Sequence, residues 1–258
     1  MKIPLVQAVA WIVGSMLIVT GGTHKGLQFY QQYQAKRKVS YLSRIVQTGP
    51  QREALKTTYL AELMQICADR PTAAAFFDPG LARGRLLASP VIKEAFVRLT
   101  EPDTIFIDYT VRQPAAWLYD FENIALDEEG YPFPVYPFFT PKKLPEIYLG
   151  IQQFSWNQPL SDQKTSLALM LLQLVNKLSL QMLRLDVSQA FHKSLAGREI
   201  IVILDEKGFT KTLRLTPKKF AQELGNYLEL RDQLPPEPQI IDLRIPQLAF
   251  LERACKPL

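Results

Sequence analysis

The chain changes character early. From Ile3 to Gly22 twenty residues pass without a charge, and Gln7, Ser15 and Thr20 are the polar interruptions. A helix of that length rises roughly 30 Å, the hydrocarbon thickness of a bilayer. The pattern therefore predicts one N-terminal transmembrane helix. The core is too long for a secretory signal, and Val19-Thr20-Gly21-Gly22 is a poor cleavage site, so residues 1–27 read as a retained anchor. A polar stretch, residues 28–38, follows as a linker. Lys2 precedes the apolar run, and Lys25, Lys36, Arg37 and Lys38 follow it. Taken alone, that balance favours a cytoplasmic C-terminal side, whereas long downstream domains translocate largely regardless of charge. These residues leave the orientation open.

Residues 39–116 read as a small α+β module in which two helices lie on one face of a three-stranded sheet. Tyr41 to Gln47 has the alternation of a short strand. Thr48-Gly49-Pro50-Gln51 has the composition of a helix start, which would place Leu55, Tyr59, Leu63 and Ile66 on one face. Cys67, beside that face, is expected to be buried. Asp78-Pro79 opens a second helix that stops at Ser89-Pro90. Val91 to Thr100 and Thr104 to Val111 then form a hairpin around Glu101-Pro102-Asp103, with Ile105, Ile107, Tyr109 and Val111 on one face.

Residues 117–258 predict a mixed β domain with packed helices. Asp127-Glu128-Glu129-Gly130 is a turn, and the aromatic run Tyr131 to Phe139 carries too many prolines for a central strand. Ser161 to Met182 reads as the longest helix of this part, striped by Leu167, Leu171, Leu174, Leu178 and Met182. Ile200 to Leu204 and Lys211 to Leu215 pair across Glu206-Lys207-Gly208, and Thr216-Pro217 opens a further helix. Gln239 to Arg253 closes the chain as two short strands around Pro246. Its last strand would put Ile245, Gln247, Ala249, Leu251 and Arg253 on one face, with Phe250 on the other. An apolar last strand is a natural sheet edge, with backbone groups free to pair with another chain.

Composition narrows the chemistry. With 30 Lys and Arg against 25 Asp and Glu, the excess is small, and no basic cluster is interleaved with aromatics in the way a nucleic-acid groove requires. Two cysteines and two histidines exclude a disulfide scaffold and a Cys/His zinc module. Whether Cys67 and Cys255 meet stays open. Ser161-Asp162-Gln163-Lys164 matches the S-x-x-K nucleophile motif of penicillin-binding enzymes, but no fitting S-x-N occurs and Lys211-Thr212 is followed by Leu213 instead of Gly. Ser161 fits a helix N-cap better. His24 and His192 lack ligand-spaced neighbours, and there is no P-loop, H-E-x-x-H or dinucleotide glycine fingerprint. The reading is a non-enzymatic binding protein with no cofactor.

Taken in order, these features resemble the FtsQ/DivIB family of bitopic cell-division proteins, whose chains run from an anchor through a POTRA domain to a β domain. Arg112-Gln113-Pro114-Ala115-Ala116 resembles the family's E-R-x-P-x-A junction, with Val111 in place of Glu. Leu126-Asp127-Glu128-Glu129-Gly130 with Phe133 is similar to its D-x-x-G-x-x-F turn, and Leu144-Pro145 with Gly150 to its L-P-x-x-x-G step, one residue longer. Asp242-Leu243-Arg244 is similar to the D-L-R of the terminal strands, followed here by Ile245 where the family more often has Tyr. Two departures are a cytoplasmic tail of only Met1 and Lys2 and a heavier proline-aromatic segment from Tyr131 to Pro141.

The resemblance implies a POTRA-like β-α-α-β-β domain at 39–116 and a scaffold without enzymatic activity. It implies an N-terminus in the cytoplasm, a periplasmic bulk, a place in the inner membrane at the septum, and no cofactor. The scaffold would join FtsB- and FtsL-like partners to the septal peptidoglycan synthase machinery. Partner binding by strand addition would fall on Ile245, Gln247, Ala249, Leu251 and Arg253, with Phe250 as an anchor and Arg198 as an ion-pairing residue. Two rivals are a POTRA-containing transport or assembly adaptor and a penicillin-binding-type enzyme acting through Ser161.

Overall fold

The structure is a computed structural model that describes residues 40–50, 52–67 and 69–253. The expected anchor and linker, His24 and Cys255 lie outside the described residues. Among the described residues no helix is long and apolar enough to cross a membrane. The longest, Gln163–Lys177, has 15 residues and rises roughly 22 Å, short of a bilayer core. The expected fold class, a single transmembrane helix followed by a POTRA-like domain and a β domain, is therefore corrected to an α+β fold of mixed, strand-dominated sheets.

The first sheet has three strands in the order β1-β3-β2: β1 (Arg44–Thr48), β2 (Ile92–Thr100) and β3 (Thr104–Val111). Strand β1 runs parallel to β3, and β2 antiparallel to it. Alternation in β3 puts Ile105, Ile107, Tyr109 and Val111 into the core, each 5% exposed or less. Helices α1 (Thr57–Leu63) and α2 (Pro79–Leu87) complete this unit. Asp78 caps α2 by accepting from the N–H groups of Gly80 and Leu81.

Helix α1 starts later than the Thr48-Gly49-Pro50 pattern predicts. Thr48 is the last residue of β1 and donates its hydroxyl to Asp108. Gly49 lies against the Tyr109 ring, where a Cβ would come within 2.7 Å of ring carbon. The Tyr109 hydroxyl in turn accepts from the Leu55 N–H at 2.8 Å. This segment is thus a strand exit held against β3. Leu60 and Met64, four residues apart, are the most deeply buried residues around α1, while Tyr59, Leu63 and Ile66 pack at the rim. Cys67 is exposed, a correction to its expected burial.

The second sheet has nine strands in the order β12-β11-β10-β9-β8-β7-β4-β5-β6. They are β4 (Ala116–Leu118), β5 (Ile124–Leu126), β6 (Pro132–Pro134), β7 (Glu146–Tyr148), β8 (Gln181–Asp186), β9 (Ile200–Glu206), β10 (Phe209–Leu215), β11 (Gln239–Asp242) and β12 (Phe250–Arg253). Helices α3 (Gln163–Lys177) and α4 (Phe220–Leu230) contribute to a core with Ile147, Leu185, Val202, Leu213 and Ile241. Helix α3 is shorter than expected at both ends. Its cap is Asp162, which accepts from Thr165 N–H, not Ser161. At the other end Ser179 adopts φ +54° and turns the chain, so Met182 lies in β8 opposite Leu204 and does not extend the helical stripe.

The two sheets share a core. Ala125 of β5, Phe133 of β6, and Val135 and Phe139 beyond it pack with the apolar residues of the three-stranded sheet. At this junction Arg112 and Asp127 form an ion pair of 2.7 Å, with side chains only 9% and 7% exposed. The Arg112 guanidinium also stacks on Tyr131, 3.8 Å from the ring centre. Asp127 Oδ1 accepts from the N–H groups of Glu129 and Tyr131, and Gly130 closes the turn at φ +83°.

Removing one partner of a buried pair leaves an uncompensated charge, at a cost of about 3–5 kcal/mol. Arg112→Ala and Asp127→Ala are each expected to lose that much in urea unfolding of the full chain, and the double variant less than the sum. A loss under about 1 kcal/mol for Arg112→Ala would contradict a structural role of this size.

Candidate interaction surface

Asp242-Leu243-Arg244 begins the C-terminal surface. Leu243 is buried in the larger core, so its neighbours are thrown to the other side. There Arg244 grips Asp242 through Nε and Nη2, the latter at 2.7 Å. Glu199 accepts from Arg214 at 2.5 Å and lies 3.5 Å from Arg244, while Arg214 approaches Asp242 at 3.8 Å. Two acids and two arginines thus tie together the ends of β9, β10 and β11. Burial pushes the Asp242 carboxyl upward, but the Arg244 hydrogen bonds and the Arg244 and Arg214 charges outweigh it and hold it below the usual range.

Beyond Arg244 the chain turns. Leu248 N–H donates to the Ile245 carbonyl at 3.2 Å, and Gln247 has φ +63°. Proline at the second position and a left-handed third residue are the requirements of a type II turn. Ile245-Pro246-Gln247-Leu248 is that turn, so residues 245–249 are not strand and do not alternate between faces as expected. Strand β12 begins at Phe250 and returns antiparallel to β11, with Ile241 opposite Leu251 and Asp242 opposite Phe250. The signal for this reversal was Pro246 one residue after Ile245.

Strand β12 is one edge of the nine-stranded sheet; the other, β6, begins and ends with proline. The hydrogen bond from Leu243 N–H to the Arg214 carbonyl fixes which backbone groups are free. Residues 239, 241 and 243 bond to β10, so by alternation Ile240 and Asp242 bond to β12, through Glu252 and Phe250. The N–H and C=O groups of Leu251 and Arg253 therefore point away from the sheet.

The expected site residues fall in distinct places. Phe250 and Leu251 are about half exposed, at 54% and 53%, and all four residues of β12 are accessible. Ala249 packs on the larger core, Ile245 and Gln247 shape the turn, and Arg253 approaches Glu237 at 3.4 Å. Arg198 stands beside the start of β9, three strands from β12, roughly 14 Å by strand spacing. Its Nε donates to the His192 carbonyl within its own loop. A groove of about 700 Å³, which sequence reasoning missed, runs between α4 and the 243–251 segment, with Leu230, Leu234, Leu248 and Leu251 among its walls. Its walls come from a helix and a turn-and-strand segment that meet only in the fold, so no local pattern announced it.

The residues considered for catalysis are engaged locally. Lys164 Nζ donates to the Leu149 carbonyl, and Ser161 is exposed outside the helix. Lys211 is 3% exposed, and its amine donates to the carbonyls of Pro235 and Glu237 and to Gln239 Oε1, at 2.8–2.9 Å. The Ser194 N–H donates to His192 Nδ1. Glu129 pairs with Lys93 at 2.6 Å at the exposed surface. Among the described residues no group of three or more His, Cys, Asp or Glu could hold a metal ion.

Because the Asp242 carboxyl is depressed in the fold, its ion pairs stabilise fully above the unfolded value near 3.9 and are lost as pH falls through the lower native value. Asp242→Asn should cost about 1–2 kcal/mol at pH 7 and flatten the loss of stability below about pH 4. Thermal unfolding across that range checks this; parallel pH profiles for parent and variant would contradict it. No protein-family model matches this chain, and comparison with curated proteins returned no match.

Proposed function

We propose that this chain is a non-enzymatic scaffold that captures a partner by strand addition at β12. The observation that carries the reading is the outward-facing backbone of Leu251 and Arg253, unpaired among the described residues, on an accessible edge beside a groove of mixed polar and apolar lining. Main-chain pairing at such an edge supplies affinity, and pockets for alternate side chains supply specificity. Leu251 lies opposite Ile241, whose face carries the core, so an incoming strand extends the same apolar face toward the groove. Phe250 lies on the reverse face opposite Asp242, where an aromatic contact sits beside the arginine-acid network.

The resemblance to FtsQ/DivIB proteins supplies the partners. FtsB- and FtsL-like division proteins would dock here, and the assembly would serve septal peptidoglycan synthesis on the periplasmic side of the bacterial inner membrane. Ile245 and Gln247 then act by making the turn that presents β12. Arg198, at its distance, serves a separate contact with the same partner.

Proline distinguishes the two sets of backbone groups in β12, since it removes one N–H donor. Leu251→Pro deletes an outward donor and is tolerable on an edge, so the full chain should stay folded while affinity for FtsB- and FtsL-like partners falls about tenfold or more. Glu252→Pro deletes a donor to β11 and should lower the melting temperature instead. Unchanged capture by Leu251→Pro in a binding titration would reject the strand-addition reading.

A further inference from the structure

The three-stranded sheet has an open edge of its own. In the order β1-β3-β2, strand β2 carries no neighbour on its outer side among the described residues, and its nine residues make it the longest strand there. Ser43 N–H donates to the Asp103 carbonyl, and β1 runs parallel to β3, so the odd-numbered residues of β3 bond to β1 and the even-numbered ones to β2. Phe96 opposes Asp108 and Arg98 opposes Phe106. The backbone groups of Glu94, Phe96 and Arg98 therefore face β3, while those of Ala95, Val97 and Leu99 face outward. The same parity follows from Arg83 on α2, whose Nε reaches the Ala95 carbonyl at 2.8 Å.

The side chains along this edge select the occupant. Ala95 and Val97 are buried in the core, whereas Glu94, Phe96 and Arg98 stand on the solvent face, Phe96 at 57% exposure. Neighbouring charges are engaged: Asp108 accepts from the Thr48 hydroxyl, and Lys93 pairs with Glu129. Glu94 and Arg98 have no ion-pair partner among the described residues. Four residues apart on one strand, they stand about 13 Å from each other and cannot pair within the chain. Arg98 is nonetheless held in place, its guanidinium 4.5 Å from the centre of the Phe106 ring. A second β2 added antiparallel about a two-fold axis at Phe96 supplies both missing partners. It bonds through the outward groups of Ala95 and Val97, sets Glu94 opposite the second copy's Arg98 and Arg98 opposite its Glu94, and brings the two Phe96 rings together on the axis. These are the non-hydrogen-bonded positions, where side chains approach most closely and aromatic and opposite-charge pairs favour pairing. The Ala95 carbonyl has a second lone pair for the incoming N–H beside Arg83. An axis at Arg98 would oppose like charges, and one at Val97 would leave Glu94 facing Thr100, so charge complementarity selects the register centred on Phe96.

We propose that two copies of this chain associate through β2, paired antiparallel about Phe96 with reciprocal Glu94-Arg98 ion pairs. This contact involves no residue of β12, so it stands or falls separately from partner capture.

Sedimentation equilibrium of the full chain over a concentration series reads the association. The average mass should rise from that of one chain toward that of two, and Arg98→Glu, which sets Glu opposite Glu, should weaken the association about tenfold or more. Exchanging the pair, Glu94→Arg together with Arg98→Glu, restores opposite charges at both positions and should recover the parent's association to within about threefold. Leu251→Pro should leave it unchanged. In a Cys67→Ser, Cys255→Ser background, Phe96→Cys should give a disulfide-linked dimer on mild oxidation, whereas Arg98→Cys should not, because only residue 96 opposes itself. A parent chain that stays monomeric throughout, Arg98→Glu associating as tightly as the parent, or no crosslink through Phe96→Cys would each overturn the proposal. Failure of the exchanged pair to recover association would overturn its register.

Discussion

The burial of Arg112 against Asp127 governs how the two sheets meet. Arg112 follows the last residue of β3 and Asp127 the last residue of β5, so one ion pair connects the two strand systems directly. Tyr131 covers the guanidinium, and two backbone N–H groups occupy the remaining oxygen of the carboxylate. A pair with its hydrogen bonds satisfied in this way can be buried at tolerable cost, whereas either half alone cannot. The geometry brings the β5–β6 end of the large sheet onto the core of the small one, where Phe133 and Phe139 lose their contact with water. The prolines of β6 close one edge, and β12 is left as the accessible edge at the far end.

Several of the partly or fully buried polar side chains are engaged in building that platform. Lys211 holds the 235–239 loop through three donors, Glu223 accepts from both the backbone and hydroxyl of Thr216, and Lys164 holds the Leu149 carbonyl. A lysine so engaged is poorly placed to activate a neighbouring serine. Among the described residues, the backbone along β12 is unpaired on one side. Such an edge has the geometry that strand addition requires, and the Asp242-Arg244 network holds the preceding strand end in place.

Local signals in the sequence were legible where local physics decides. Asp78-Pro79 opens α2 because a carboxylate and a fixed φ serve a helix start without tertiary help. The alternation in β3 survives because one face of that strand is fully buried. The misreadings share another cause. Thr48-Gly49-Pro50 has the composition of a cap, yet contacts with Asp108 and Tyr109, some 60 residues away in sequence, hold it as a strand exit. Leu178 and Met182 continue the helical spacing by coincidence, while Ser179 in the left-handed region ends it. At the C-terminus the expected surface was read as one alternating strand, but Pro246 divides those residues into a turn and a shorter strand. The groove beside them was invisible because its walls meet only after folding.

Amide hydrogen exchange across β12, with and without FtsB- and FtsL-like partners, reads strand addition residue by residue. The amides of Leu251 and Arg253, which face outward, should exchange quickly alone and become protected in the complex, while Phe250 and Glu252, already paired with β11, change little. Unchanged exchange at Leu251 and Arg253 in a saturated complex, with protection elsewhere, would contradict capture by strand addition.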